Sequence, residues 1–142
     1  MAANPERLRF YVDESALGVG KALAAAREDT IHVGHPLIPE CPLGIEDPDW
    51  ISAVAARGLI VIGRDKHIRT RPAEVLHLHD AGLRAFYLGG KQDSTTWGWL
   101  TWLVRRWDDI EEVIRDRGLG PWFYVVNAGN VVERPIRHGV GQ

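Results

Sequence analysis

The stretch Gly58-Leu59-Ile60-Val61-Ile62-Gly63-Arg64-Asp65-Lys66 decides how the rest of the sequence is read. Its four apolar residues run without any polar alternation. A strand of that kind is buried on both faces, as central strands of parallel sheets are. Gly58 marks the end of a preceding helix, and Asp65 falls just past the carboxyl end of the strand. In open α/β sheets ligands bind in the crevice beyond those ends.

Working outward, the pattern alternates between strands and helices. Asp47 or Asp49 is expected to cap a helix running to about Arg57. Before it, Gly34 to Ile45 reads as loop, kept extended by Pro36, Pro39 and Pro42. Thr30 to Val33 is a strand. Ser15 to Arg27 is a helix, capped by Ser15 and carrying Leu17, Leu23 and Ala24 as its apolar stripe. Leu8 to Val12 is a short buried strand that ends in Asp13-Glu14. On the other side, Pro72 to Asp80 is a helix with proline in its first turn, and Leu83 to Leu88 is a strand. Thr95 to Arg117 is a long, tryptophan-rich helix. Trp122 to Val126 and Val131 to Val132 flank the hairpin turn Asn127-Ala128-Gly129-Asn130, and a loose tail follows Pro135. The expected fold is a single α/β domain over 1–142, with a central, mostly parallel sheet flanked by helices and a C-terminal hairpin.

Bulk properties agree. The chain has 142 residues, 45% of them hydrophobic and 25% charged, which suits one globular domain rather than disorder. A formal net charge of −2 argues against a protein that merely coats nucleic acid, so any RNA contact must come from a local basic patch. Cys41 stands alone, so no intrachain disulfide forms, which fits a reducing compartment. It reads as an inert loop thiol. No apolar run is long enough to cross a bilayer, and the first nine residues lack a signal-peptide segment. The expected location is the cytoplasm, with no membrane association.

The strand ends carry the acids. Asp13 and Glu14 end the first strand, Asp65 ends the central one, and Asp47 and Asp49 open the helix that leads to it. If the fold is right, these positions converge. Gathered carboxylates repel, and without a counter-ion one would take up a proton. A hard divalent cation, Mg2+ or Mn2+, removes that conflict, activates water and stabilises charge building on a phosphate. Asp13, Asp47 and Asp65 are the candidate catalytic metal ligands. Glu14 is either a supporting acid behind them or a solvated helix start. Asp49 reads first as a cap or a solvated acid.

Phe10-Tyr11-Val12-Asp13-Glu14-Ser15-Ala16-Leu17 resembles the opening of PIN-domain nucleases, where a strand ends in aspartate followed closely by Ser-Ala. Asp47-Pro48-Asp49-Trp50-Ile51, and then the strand ending Arg64-Asp65-Lys66, resemble the PIN-like subgroup more closely. Many members of that group are toxins of VapC-type toxin–antitoxin pairs. The resemblance covers about the first two-thirds of the chain. It implies a metal-dependent endoribonuclease, with Asp13, Asp47 and Asp65 as metal-binding acids. It also implies an RNA substrate, an antitoxin protein as partner and a homodimer. Such families often place another acid two residues after the last one; here that residue is His67. Asp93 is a substitute, with helix capping as its other reading.

Arg64, Lys66, Arg69 and Arg71 bracket Asp65, and Lys91 follows Gly89-Gly90 at another strand end. Arg64, Lys66, Arg69 and Lys91 are the candidate contacts to RNA phosphates, with Lys66 favoured by its place beside Asp65. Trp97, Trp99, Trp102 and Trp107 crowd one helix, where Leu100, Leu103, Val104 and Trp107 form an apolar stripe. Packing is its expected role, with any surplus face meeting a second subunit or an antitoxin. His32, His35, His77 and His79 read as structural or solvated. Two rival readings are a receiver-like phosphoacceptor domain and a degenerate PIN-like module that only binds RNA or a partner.

Overall fold

The computed structural model describes residues 2–64, 71–90 and 95–136. Six strands form one sheet: β1 (Phe10–Val12), β2 (Thr30–His32), β3 (Ile60–Gly63), β4 (Arg84–Leu88), β5 (Trp122–Val126) and β6 (Val131–Glu133). Their order is β2-β1-β3-β4-β5-β6. The first five are parallel and β6 runs antiparallel to β5. The helices are α1 (Leu17–Ala26), α2 (Asp47–Ala56), α3 (Pro72–Ala81) and α4 (Thr96–Arg117), one in each connection between parallel strands. The single α/β domain with its C-terminal hairpin is therefore as the sequence implies.

Period-two alternation sorts the strand residues onto two cores. Tyr11, Ile31, Val61, Ala85, Tyr87 and Phe123 face one layer, where Trp50, Ile51 and Val54 of α2 and Leu78 of α3 pack. Phe10, Val12, Ile60, Ile62, Phe86 and Trp122 face the other, against Val19 and Leu23 of α1 and Trp99, Leu103 and Ile110 of α4. Every residue of β3 is buried, which is why its sequence shows no alternation. Burying one such large apolar side chain contributes about 1.5–3 kcal/mol.

Three local expectations need correction. Ser15 does not cap a helix that runs to Arg27. A 3-10 turn over Glu14–Ala16 comes first, and the Asp13 side chain caps it by accepting from the Ser15 N–H. Neither Asp47 nor Asp49 caps α2; Glu46 holds that position without a side-chain bond, and both aspartates lie in the first turn. There they complement the positive end of the helix dipole. Of the expected α4 stripe, Leu103 is buried and Leu100 and Trp107 pack against the second core, but Val104 is 66% exposed, and Trp99 and Ile110 complete the buried face. Ile136 packs against the first core, and the rest of the expected loose tail lies outside the described residues.

Candidate active site

The strand order reverses direction between β1 and β3, and a crevice at such a switch point is where ligands bind in open α/β sheets. Asp13 stands there. Val12 pairs with Ile62, and the Asp13 N–H donates to the Ile62 carbonyl at 3.0 Å, so Asp13 lies beside Gly63. Gly63 in turn pairs with Tyr87 of β4. The three residues form one row across three strands, on the α2–α3 face. Gly63 leaves the middle of that row empty, and the Asp13 carboxylate fills it. A methyl group on Gly63 would sit 2.7 Å from Asp13 Oδ2. Tyr87 therefore reaches across, and its hydroxyl donates to Asp13 Oδ2 at 2.8 Å.

The other carboxylate oxygen is held by Ser15. The Ser15 N–H donates to Asp13 Oδ1 at 3.0 Å, and the Ser15 hydroxyl donates to the same oxygen. Ser15 Oγ also accepts from the Arg64 N–H at 2.9 Å, which ties the end of β1 to the end of β3. Asp13 is 6% exposed. Burial lifts its pKa from 3.8 to about 6, against the pull of the Ser15 and Tyr87 hydrogen bonds, and the nearby Asp47 charge adds to the rise.

Asp47 shares with Asp13 a cleft of about 70 Å3, together with Tyr11, Glu14, Ser15 and Trp50. Its Oδ1 accepts from the Trp50 indole N–H at 2.9 Å, and its Oδ2 lies 3.6 Å from the Arg71 guanidinium. Glu14 lines the cleft but points its Oε1 at the Gly44 N–H, 2.7 Å away, pinning the loop before α2. Tyr11 stacks on Trp50 at 5.7 Å and forms part of the cleft wall. Its hydroxyl is buried beside the Cys41 thiol, and burial pushes its pKa up.

The structure thus brings Asp13, Asp47 and Glu14 together. Asp49 is exposed and does not line the cleft. Arg64 lies at the end of β3, but its guanidinium stacks over the Trp99 ring at 4.3 Å, toward α4. Asp65, Lys66, Arg69, Lys91 and Asp93 lie outside the described residues, as does His67. Among the described residues no group of three or more His, Cys, Asp or Glu side chains could hold a metal ion. Two carboxylates and a cleft with room for water still suit Mg2+, which keeps several waters and takes one or two carboxylates from the protein. A buried, raised carboxylate beside a second acid is the electrostatic conflict that such a cation relieves.

Sequence reasoning missed Tyr87 and Gly63, and gave Ser15 only a capping role. Gly63 ending an apolar strand was the available signal, but its meaning depends on the register with Tyr87.

Fold and site together define a doubly wound α/β protein with an acidic cleft at its switch point. The family model described as a PIN-like domain matches residues 8–90, more than half of the chain, and the protein belongs to that family. The matched span holds Asp13, Asp47 and Asp65, the row through Gly63 and Tyr87, and all of β1 to β4. PIN domains are usually nucleases and generally use divalent metals. No curated protein and no solved structure matches the chain. No described helix is long and apolar enough to cross a membrane.

Proposed function

We propose that this PIN-like domain is a metal-dependent endoribonuclease that hydrolyses RNA phosphodiester bonds, acting as the toxin of a type II toxin–antitoxin pair. One observation carries the nuclease reading: a buried carboxylate, Asp13, is held rigidly at the switch point and faces a second, Asp47, across a small cleft. Asp13, Asp47 and Asp65 are assigned to hold Mg2+ or Mn2+. Bound there, the metal supplies an activated water and neutralises charge developing on the phosphate.

The chain's own residues do the rest. Ser15 and Tyr87 fix both oxygens of Asp13, so no reorientation is needed when a ligand arrives. From the first turn of α2, Asp47 is aimed by the Trp50 N–H bond to its Oδ1. Arg71, already beside Asp47, is placed to meet a phosphate oxygen once one enters. Lys66, Arg69 and Lys91 are assigned to flanking phosphates. Arg64 joins them only by leaving the Trp99 ring.

An antitoxin partner, or a second copy of the chain, is supported by the apolar surface of α4, where Trp97 is 76% and Val104 is 66% exposed. The strand order β2-β1-β3-β4-β5 is shared with other doubly wound folds, receivers included. The family match favours the nuclease over that rival. The test is cleavage of total RNA by the purified chain with Mg2+ or Mn2+. The proposal expects cleavage that chelator abolishes and that folded Asp13→Asn, Asp47→Asn and Asp65→Asn variants lack. RNA binding with no cleavage in either metal would support the degenerate module. Phosphate uptake onto Asp65 from a small phosphodonor would support the receiver.

A further inference from the structure

On the α1 side of the sheet lies a second cavity, of about 420 Å3, between α1, the loop after β2 and the residues preceding β1. Its polar lining is Lys21, His32 and His35; the remainder is alanine, proline and leucine. None of this surface belongs to the acidic cleft.

The backbone fixes the tautomers of the two imidazoles. His32 Nδ1 lies 2.6 Å from the Val33 carbonyl oxygen. A carbonyl only accepts, so His32 Nδ1 carries the proton and its Nε2, when the ring is neutral, offers a lone pair. His35 Nδ1 lies 3.0 Å from the Leu37 N–H. A backbone N–H only donates, so His35 Nδ1 is bare and its Nε2 carries the proton. The rings meet edge to face at 5.1 Å. Burial, with His32 nearby, holds the His35 pKa below its ordinary value, which keeps that ring neutral at pH 7. Among the described residues no hydrogen bond ends on either Nε2, and no carboxylate pairs with Lys21.

The cavity therefore presents an ammonium, one imidazole N–H donor and one imidazole acceptor. We propose that it binds a phosphate monoester, as the free group or as the end of a longer molecule. Its oxyanions accept from Lys21 Nζ and His35 Nε2–H. One proton shared between a third phosphate oxygen and His32 Nε2 completes the set, whichever of the two carries it. A carboxylate offers two oxygens for three groups, whereas a phosphate monoester has one terminal oxygen for each. A phosphodiester fails in the same way. A transition metal is disfavoured, because ligation by His35 Nε2 would move that proton to Nδ1, donor against donor at the Leu37 N–H. The site does not depend on the nuclease reading.

The test is long-range 1H–15N NMR of the histidine side chains in the full chain, with calorimetry, using inorganic phosphate as probe. The free protein is expected to show opposite tautomers for His32 and His35, and phosphate is expected to shift both Nε2 signals. Lys21→Met, at an exposed position, and His35→Asn, which keeps an acceptor for the Leu37 N–H, should each weaken binding about tenfold, the loss of one charge-assisted hydrogen bond. An oligoribonucleotide bearing a terminal phosphate that outcompetes inorganic phosphate would assign the site to an RNA end. Failure to outcompete would assign it to a small phosphate compound. No phosphate-induced shift, shifts unchanged in both variants, or Zn2+ bound through both Nε2 atoms would overturn the proposal.

Discussion

The Tyr87 hydroxyl donates to Asp13 Oδ2 at 2.8 Å, across a gap that exists because Gly63 has no side chain. Tyr87 is 1% exposed and packs on Phe123, with ring centroids 4.8 Å apart, so Tyr87→Phe removes the bond and keeps the packing. A hydrogen bond to a charged group is worth about 1.5–3 kcal/mol. Denaturant unfolding at pH 7 should show a loss in that range. Divalent-metal affinity should fall with it, because the carboxylate is no longer held in its charged, aimed form. Unchanged affinity in a folded Tyr87→Phe protein would remove Tyr87 from the site.

Gly63→Ala places a methyl group where the Asp13 carboxylate lies, with carboxylate atoms at 2.7 to 2.9 Å. Asp13 or β3 must shift. Overpacking of this kind costs about 1–3 kcal/mol. The expected variant is folded and less stable, with Tyr87 and Asp13 separated and cleavage lost. Wild-type cleavage rates would show that the row across β1, β3 and β4 does not organise the chemistry.

Asp13 makes a distinct demand on the metal-free protein. Its folded pKa of about 6 lies above its ordinary 3.8, so the folded state holds the extra proton between those values. Stability contributed by this group therefore falls as pH rises from about 4 to about 6, and by pH 7 the buried charge costs ~3 kcal/mol. Asp13→Asn should raise the melting temperature at pH 7 without metal while abolishing cleavage. A lower melting temperature would mean that hydrogen bonding to the carboxylate outweighs its desolvation.

A separate network has the opposite sign. Arg9 binds Glu111 at 2.6 Å and Asp29 at 3.3 Å, and Arg27 binds Asp29 at 2.8 Å, tying α4 to the start of β1. The Arg9 hydrogen bond holds Glu111 below its ordinary 4.5. Asp29 lies below 3.8 because its bonds to Arg27, Thr30 and Arg9 outweigh its burial. A depressed carboxylate stabilises the fold above its ordinary pKa and loses that contribution as pH falls through the folded value. Glu111→Gln should cost about 1 kcal/mol at pH 7, given the partial exposure of the pair. The cost should shrink toward nothing as pH falls well below 4.5. An equal cost at both pH values would mean that packing, not charge, is what the substitution removes.

Much of this was legible in the sequence, for physical reasons. The apolar run Leu59 to Ile62 announced a central strand because a strand buried on both faces has no polar side to show. Asp13 and Asp47 were legible because carboxylates directly after a strand or opening a helix have few other places to go. Tyr87 was not, since β4 reads as an ordinary buried strand until its register with Gly63 is known. On α4 only Val104 was misjudged, because helical spacing does not say on which side the buried face widens, and Trp99 and Ile110 widen it instead. The stacking of Arg64 on Trp99, a contact between residues 35 positions apart, is one that no local pattern encodes.

The most direct test of the central claim is calorimetric titration of Mn2+ into the wild-type chain and into Asp13→Asn. The wild type is expected to bind, and the variant, folded by circular dichroism, to lose that binding. Binding of equal strength in both proteins, or none in the wild type even with RNA present, would contradict a metal-dependent nuclease site at the ends of β1 and β3.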